Sequence, residues 1–551
     1  MTSSVAGATL HPRAAEILSE FGSPAASAAW LLCDRHPAEG IAFRFIREDL
    51  SEEVMTYGDL KDRSQRAAAV LVSHGVQAGD RVASLLGKGP ELPVLILGIW
   101  RLGAVYVPLF TAFAATTVAD RVAESEARVI VTDSSQLAKT FGLPCTVLLA
   151  HVEESTDVPP GVHNFTAELE AQPNVTLAEP VGGPEAPIVH MFTSGTTGKP
   201  KAVVHPLGYA AGWQSYLELA LAPGENFWCA ADPGWAYGLY VAIVGPLATG
   251  IPSIMTCGTF KPELTWEVLR AVNVTDFAAA PTVYRALRAA DPGHELPSLR
   301  QLSSAGEPLT PEVGAWTRYR FDADVHDHFG QTEVGMPAGF AHHPDLRTEP
   351  VPSAMGSALP GWTLAVLKPD SEQVAAIDEV GRLAVDVHAS PYLTFTGYGV
   401  QRDVLGGKFT GDGRYYLSGD LASVDIDGLM HFSSRDDDVI LMAGYRIGPF
   451  DVESVLLTHS AVAEVAVVAS PDEVRGEVIH AFVVRAAPGR LDDELAALLT
   501  AELQDWVKEN YGAHAYPRRI SFVEALPKTP SGKVQRSVLR NQLALAQNPP
   551  E

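Results

Sequence analysis

The stretch Phe192 to His205 reads FTSGTTGKPKAVVH and continues the apolar run APIVHMF at 186–192. That run has the make-up of a strand. Behind it, Thr193, Ser194, Gly195, Thr196, Thr197 and Gly198 let the backbone approach phosphate oxygens closely and add hydroxyl donors, while Lys199 and Lys201 add positive charge. On composition alone the same residues also suit a flexible linker. A Walker loop is excluded, because that motif needs Ser or Thr after its Gly-Lys pair to hold magnesium, and Pro200 stands there.

Outward from this stretch, the strand-like runs RVASLLG (81–87), ARVIVTD (127–133) and TDFAAAP (275–281) alternate with helical stretches such as YGDLKDRSQRAAAVLVSHG (57–75). The alternation predicts an α/β architecture. Leu92 to Phe110 nears membrane-span length, but Pro93, Arg101 and Pro108 interrupt it, and a buried helix followed by a strand is expected. Over 411–444 the texture shifts to short, polar, hairpin-like pieces, and a domain boundary is expected near Arg435 to Asp438. Beyond it, DVESVLLTHSAVAEVAVVAS (451–470) reads as helix then strand and VIHAFVVRA (478–486) as another strand, enough for a small α+β unit. No internal repeat or low-complexity tract stands out.

The 551 residues, 46% of them hydrophobic, can bury several folding units. A formal net charge of -26 argues against a nucleic-acid partner, although a local basic cluster can still grip a phosphorylated ligand. Cys33, Cys145, Cys229 and Cys257 have no zinc or disulfide spacing, and a reducing cytosol is expected. The stretch MTSSVAGATLHPRAAEI has no basic flank before an apolar core and does not read as a signal peptide.

Six blocks in order, FTSGTTGKPKAVVH, SAGEPL (304–309), HFGQTEVG (328–335), YYLSGDLA (415–422), SSRDDDVILMAGYRIGPFDVE (433–453) and LPKTPSGKVQR (526–536), resemble the motifs of the adenylate-forming (ANL) superfamily of acyl-CoA synthetases, luciferases and peptide-synthetase adenylation domains. The resemblance runs from about Arg44 to Arg540. It implies a large N-terminal domain of stacked mixed β-sheets with helices (1–436) and a small, mobile α+β C-terminal domain (437–551). It also implies a two-step reaction. A carboxylate attacks the α-phosphate of ATP to give acyl-adenylate and diphosphate, and the thiol of coenzyme A then displaces AMP. Joining two anions calls for cations and dipoles at the site.

By this resemblance Thr193 to Lys201 hold the β- and γ-phosphates, and Gly306, Glu307 and Pro308 line the adenine. Asp327, His328, Phe329, Gly330, Gln331 and Thr332 belong to the nucleotide block, with the Thr332 hydroxyl near the α-phosphate and Glu333 carrying magnesium. His326, Asp327 and His328 lack a third partner at zinc spacing, and the histidines are expected to pack. Asp420 and Arg435 match the ribose pair, and Asp437 matches the hinge. Lys533 matches the catalytic lysine that reaches the substrate carboxylate and α-phosphate. Gly444, Tyr445 and Arg446 match a turn that nears the site for thioester formation, and Arg518, Arg519 and Lys528 suit the coenzyme's phosphates. Without the resemblance, GEP is a turn and the C-terminal basic residues are a solvated surface.

CAADPGWAYGLYVAIVGPLATG (229–250) is similar to the acetyl- and medium-chain acyl-CoA synthetase branch, where Trp235, Ala236 and Tyr237, with Ala305 and Gly330, fall at the acyl pocket. Acetyl-specific members carry a tryptophan where Gly330 stands, so room for a longer acid, short to medium in chain, is expected here; Tyr237 leaves a branched or aromatic acid open. Phe450 and Ala443 depart from residues common in relatives near the coenzyme contacts. The partners implied are ATP, Mg2+, coenzyme A and a small carboxylic acid, for a cytoplasmic monomer or homo-oligomer with no membrane span. Competing readings are an enzyme that loads an acyl group onto a carrier-protein thiol or an amine, and a non-catalytic nucleotide binder, against which the intact Lys533, Glu333 and Arg435 argue.

Overall fold

The strand-like runs form strands in a computed structural model, which describes residues 5–7, 9–151, 158–173, 182–193, 201–296, 298–399, 402, 404–442, 445–472, 476–487, 489, 492–512, 515–529 and 533–547. A seven-stranded sheet has the order Lys201–Pro206, Pro187–Thr193, Val105–Pro108, Arg81–Leu85, Val129–Thr132, Thr146–Leu149, Val162–Asn164. Only the first two strands pair antiparallel. Val129–Thr132 is buried along its whole length, as expected for a parallel strand covered on both faces.

A nine-stranded sheet carries at its centre the parallel strands Asp276–Ala279, Gln301–Ala305 and Val325–Gln331, and the last of these turns back into Gly335–Gly339. A five-stranded sheet ends in the hairpin Tyr415–Val424 and Met430–Arg435. One apolar core joins all three: Phe43 of the second sheet, Val189 of the first and Leu364 of the third share a buried cluster with Leu95, Ile99 and Trp100.

The long apolar segment resolves as expected, into the helix Glu91–Arg101 and the strand Val105–Pro108. Its arginine explains why it sits in a protein core rather than a bilayer. Arg101 is 1% exposed, but its guanidinium is matched by Asp34 at 2.6 and 3.2 Å and by the Ser64 hydroxyl at 2.8 Å. No described helix is long and apolar enough to cross a membrane. The helix Tyr57–Ser73 begins at a capping box in which Thr56 and Asp59 satisfy each other's backbone N–H groups.

Arg435 closes the last strand of the third sheet, Asp436–Asp438 make one 3-10 turn, and Ile440–Met442 starts a separate sheet. That sheet pairs Val462–Asp472 antiparallel with Gly476–Arg485, adds Arg519–Phe522, and carries the helices Pro449–Leu457, Asp493–Asn510 and Arg536–Gln547. Its own core of Ile440, Val452, Leu456, Val467, Ile479 and Leu503 makes this small lobe a unit in its own right.

Candidate active site

The turn after Val325–Gln331 carries Gln331, Thr332 and Glu333, and two different surroundings hold it. On one side the Thr332 carbonyl accepts from His205 Nε2 at 2.8 Å and from the Tyr209 hydroxyl at 2.9 Å. A carbonyl only accepts, so the His205 proton sits on Nε2, and Nδ1 accepts from the Tyr240 hydroxyl at 2.8 Å. His205 stacks on Tyr209 with ring centroids 4.0 Å apart, and burial pulls its pKa down to about 3. It therefore stays neutral at working pH.

On the other side the groups are charged. Gln331 Nε2 donates to Asp420 Oδ2 at 2.5 Å and to the Ser418 carbonyl at 3.0 Å, while its Oε1 accepts from the Tyr416 hydroxyl at 3.1 Å. Asp420 and Arg435 are direct partners across the hairpin, which brings Arg435 Nη1 to 2.9 Å from Asp420 Oδ1; Arg435 Nε also lies 3.6 Å from Asp437. Burial pushes the Asp420 carboxyl up and Arg435 opposes the shift. Glu333 Oε1 accepts from the Tyr398 hydroxyl at 2.7 Å, and Lys201 Nζ stands 5.0 Å from the centre of the Tyr398 ring.

The sequence reading missed Lys408. It donates to the Ser418 carbonyl at 2.8 Å, and its ammonium is pulled down by burial and held up by Glu333. It also missed His205, Tyr209, Tyr240, Tyr398 and Tyr416. His205, Tyr240 and Tyr416 lie inside stretches singled out in the sequence, at 192–205, 229–250 and 415–422, but carry no role there.

Gly306 has φ +95°, a left-handed conformation that favours glycine, at the turn after Gln301–Ala305. Glu307 turns away into the protein, accepting from Thr282 at 2.8 and 3.0 Å and pairing with Arg285 at 3.0 Å. Pro308 completes the turn, and the N–H of Leu309 lies 3.4 Å from Asp327 Oδ2. Asp327 Oδ1 is buried with no hydrogen-bond partner among the described residues, and burial pushes this carboxyl up to about 8. His326 and His328 both bond the Phe340 carbonyl, at 2.9 and 3.0 Å, and His326 stacks on His342 at 3.6 Å. These histidines pack, as expected. Phe329 is half-buried against the core.

Lys533 comes from the small lobe and faces this cluster. Its backbone N–H bonds the Thr529 hydroxyl at 3.1 Å. The residue keeps an exposed surface, yet the protein around its ammonium lowers the pKa through desolvation, opposed first by Glu307, reinforced by Arg435, and opposed again by Asp420 and Glu333. Lys533 thus stands within electrostatic reach of three carboxylates of the large lobe. Thr193 and Lys201 pair as neighbours in the strands Pro187–Thr193 and Lys201–Pro206; Ser194, Gly195, Thr196, Thr197, Gly198 and Lys199 lie outside the described residues, as does Gly444. Tyr445 and Arg446 belong to the strand Tyr445–Ile447.

At the expected acyl pocket, Trp235 packs against Phe110 and Phe113 with centroids 5.2 and 5.8 Å away. Ala236 opens a short helix, the Tyr237 hydroxyl is 3.3 Å from that of Tyr216, and Ala305 is buried at a strand end. Tyr216 and Tyr240 each begin a π-helical segment, a local widening frequent at functional sites. In the direction of a side chain at Gly330 the space is filled. A Cβ there would overlap the Met336 sulfur and the Gly335 carbonyl, because the chain turns back on itself and lays buried Met336 into that space.

The arrangement offers Lys201, Lys408, Arg435 and Lys533 around two carboxylates, Glu333 and Asp420, a field suited to a polyphosphate anion. Glu333 Oε2 has no hydrogen-bond partner among the described residues, and one carboxylate together with substrate phosphates is a donor set that magnesium takes.

The chain belongs to the AMP-binding enzyme family: the family's profile matches residues 32–398, and that of the AMP-binding enzyme C-terminal domain matches 451–533. Among similar proteins, the acetyl-coenzyme A synthetase of Bacillus subtilis (strain 168) is 33% identical over 531 residues, covering 93% of this chain and 90% of that one. The human mitochondrial acyl-coenzyme A synthetase ACSM4 is 32% identical over 498 residues, covering 88% and 84%. The crystal structure of an acyl-CoA synthetase from Brucella canis superposes with a TM-score of 0.74 at 39% identity, covering 98% of this chain and 100% of that one.

Proposed function

We propose that the protein is an AMP-forming acyl-CoA synthetase that converts ATP, a short- to medium-chain carboxylic acid and coenzyme A into acyl-CoA, AMP and diphosphate through an acyl-adenylate. What supports this reading is the Lys533 ammonium of the small lobe, which burial destabilises and the large-lobe carboxylates Glu307, Asp420 and Glu333 favour, beside the bonded pair Asp420 and Arg435. A carboxylate oxygen bonds to the α-phosphorus as the bond to the diphosphate breaks. Lys533 offsets the charge of the two anions in that step, and losing one such contact costs on the order of a hundredfold or more.

Asp420 accepts from the ribose hydroxyls, with Arg435 holding that carboxylate in place. Gln331 braces Asp420, and the Thr332 hydroxyl reaches the α-phosphate from a backbone fixed by His205 and Tyr209. Gly306 to Pro308 form the adenine wall at the turn after Gln301–Ala305. Thr193 to Lys201 bind the β- and γ-phosphates. Glu333 would hold magnesium, which supplies charge neutralisation at the phosphates when bound.

In the second step the coenzyme's sulfur bonds to the acyl carbon and AMP departs, with Gly444, Tyr445 and Arg446 of the small lobe turned toward the site. The domain boundary falls at 436/437, with Asp437 as the pivot; the change of sheet across Asp436–Asp438 supports it. The acyl pocket is bounded by Trp235, Ala236, Tyr237, Ala305 and Gly330, and Met336 limits its depth. Four free cysteines suit the cytoplasm.

A panel of carboxylic acids assayed for diphosphate release with and without coenzyme A, with the product weighed by mass spectrometry, tests the reading. The expected result is acid-dependent diphosphate release and a coenzyme A thioester. Robust acid-dependent diphosphate exchange with no thioester overturns it in favour of a carrier-protein or amine acceptor.

A further inference from the structure

On the far edge of the seven-stranded sheet, His74, His163 and Glu168 bring their ligand atoms within 4.8 Å of one another. His74 Nε2 is 2.7 Å from Glu168 Oε2, His163 Nδ1 is 3.7 Å from Glu168 Oε1, and the two imidazoles meet edge to face at 4.5 Å. We propose that these three side chains form a binding site for a divalent transition cation of the zinc class, with water as the fourth ligand.

The donor set fits the ion. Two imidazoles and one carboxylate are ligands that zinc takes in sites left open to water, and with bond lengths of about 2.0–2.1 Å a tetrahedron sets its corners about 3.3 Å apart. His74 Nε2 and His163 Nδ1 reach different oxygens of Glu168, at 2.7 and 3.7 Å, and one ligand atom from each residue lies within 4.8 Å of the others, so side-chain rotations that draw both imidazoles onto one carboxylate oxygen complete the set. His163 is the most open of the three, at 47% side-chain exposure against 13% for His74, which leaves its side for the water.

The elements are already fixed. His74 caps the C-terminus of the helix Tyr57–Ser73, where the helix dipole favours a cation. Asn164, next to His163, caps the helix Phe165–Ala171 through Ala167 N at 2.9 Å, and the buried Phe165 and Leu169 turn Glu168 outward. A bound ion would clasp an edge strand and two helices together.

The site is separate from the nucleotide cluster. Six strand spacings of about 4.8 Å, or about 29 Å, lie between Val162–Asn164 and Lys201–Pro206. Zinc should therefore change stability and leave catalysis alone.

The test uses tag-free protein stripped with chelator, then titrated with Zn2+ by calorimetry and with Co2+ by visible absorption, with melting followed in parallel. One ion per chain, a tetrahedral Co2+ spectrum and a zinc-dependent rise in Tm are expected. His163→Ala, at an exposed position, and Glu168→Gln should each weaken binding by at least about tenfold, as even outer-shell changes commonly do. His74→Ala should abolish it, and acid-dependent diphosphate release should remain as in the parent. The proposal falls if the parent binds no zinc, or if a folded His74→Ala/His163→Ala double variant binds it as tightly.

Discussion

The turn Gln331–Glu333 lies between two unlike neighbourhoods. His205, Tyr209 and Tyr240 on one side are uncharged, buried and fully engaged with one another, and they meet the turn at a single backbone carbonyl. On the other side Asp420, Arg435, Lys408 and Glu333 are charged groups whose compensation depends on each other and, for Lys533, on a residue from another lobe. The first neighbourhood fixes where the turn is; the second decides what it can attract. A ligand of opposite charge gains from the second and finds nothing to displace in the first.

The largest effect should come from removing the charge that the small lobe contributes. In Lys533→Ala, adenylate formation measured by diphosphate exchange should fall by on the order of a hundredfold or more. Thiolysis of a supplied acyl-adenylate should stay near the parent rate. Equal losses in both steps would erase the distinction between the two neighbourhoods, since Lys533 would then act by holding structure.

Lys408→Met keeps the length and removes the charge beside Glu333 and Asp420. A rise in the KM for ATP of roughly tenfold is expected, of the order of one charge-assisted hydrogen bond. An unchanged KM would make Lys408 a packing residue. At the acyl end, Met336→Ala opens the space beside Gly330. Selectivity should move toward longer acids by several-fold per carbon in kcat/KM, since each buried methylene contributes about 0.8 kcal/mol.

The smallest effect on rate should come from the neutral side, where pH is the sharper probe. His205, His190, His328, His342 and His480 have pKa values lowered by burial from 6.5 to about 3, 4, 3, 2 and 4. Between those values and 6.5 the unfolded chain binds more protons, so stability is full above pH 6.5 and is lost as pH falls through that window. Asp327 and Asp451, raised by burial to about 8 and about 6, and Asp232 and Asp420, also raised, act in the opposite sense, so the His205 contribution is read from the difference between variant and parent. Urea unfolding of His205→Phe across this range should show a shallower loss than the parent; an equal slope would mean that His205 is not held neutral.

Much of this was legible in the sequence, for reasons that differ by element. The strands at 81–85, 129–132 and 187–193 announced themselves because strands buried over most of their length carry mainly apolar residues. Asp420 and Arg435 were named together by the family resemblance, and the hairpin that sets them opposite each other is what the structure adds. Lys408 gave no sign, since its role arises when an irregular segment crosses Ser418 and Glu333, and no local pattern encodes that crossing. What Gly330 borders was hidden for a related reason. The volume a glycine leaves belongs to whatever folds back over it, and here that is Met336.

Arg435 touches Asp420 with one end of its guanidinium and Asp437 with the other. If the small lobe swings about Asp437, the swing pulls on the same fork that steadies Asp420, the proposed acceptor for the ribose. Loosening of the spent nucleotide and admission of the thiol would then share one joint, and the order of product departure would be written into a single side chain.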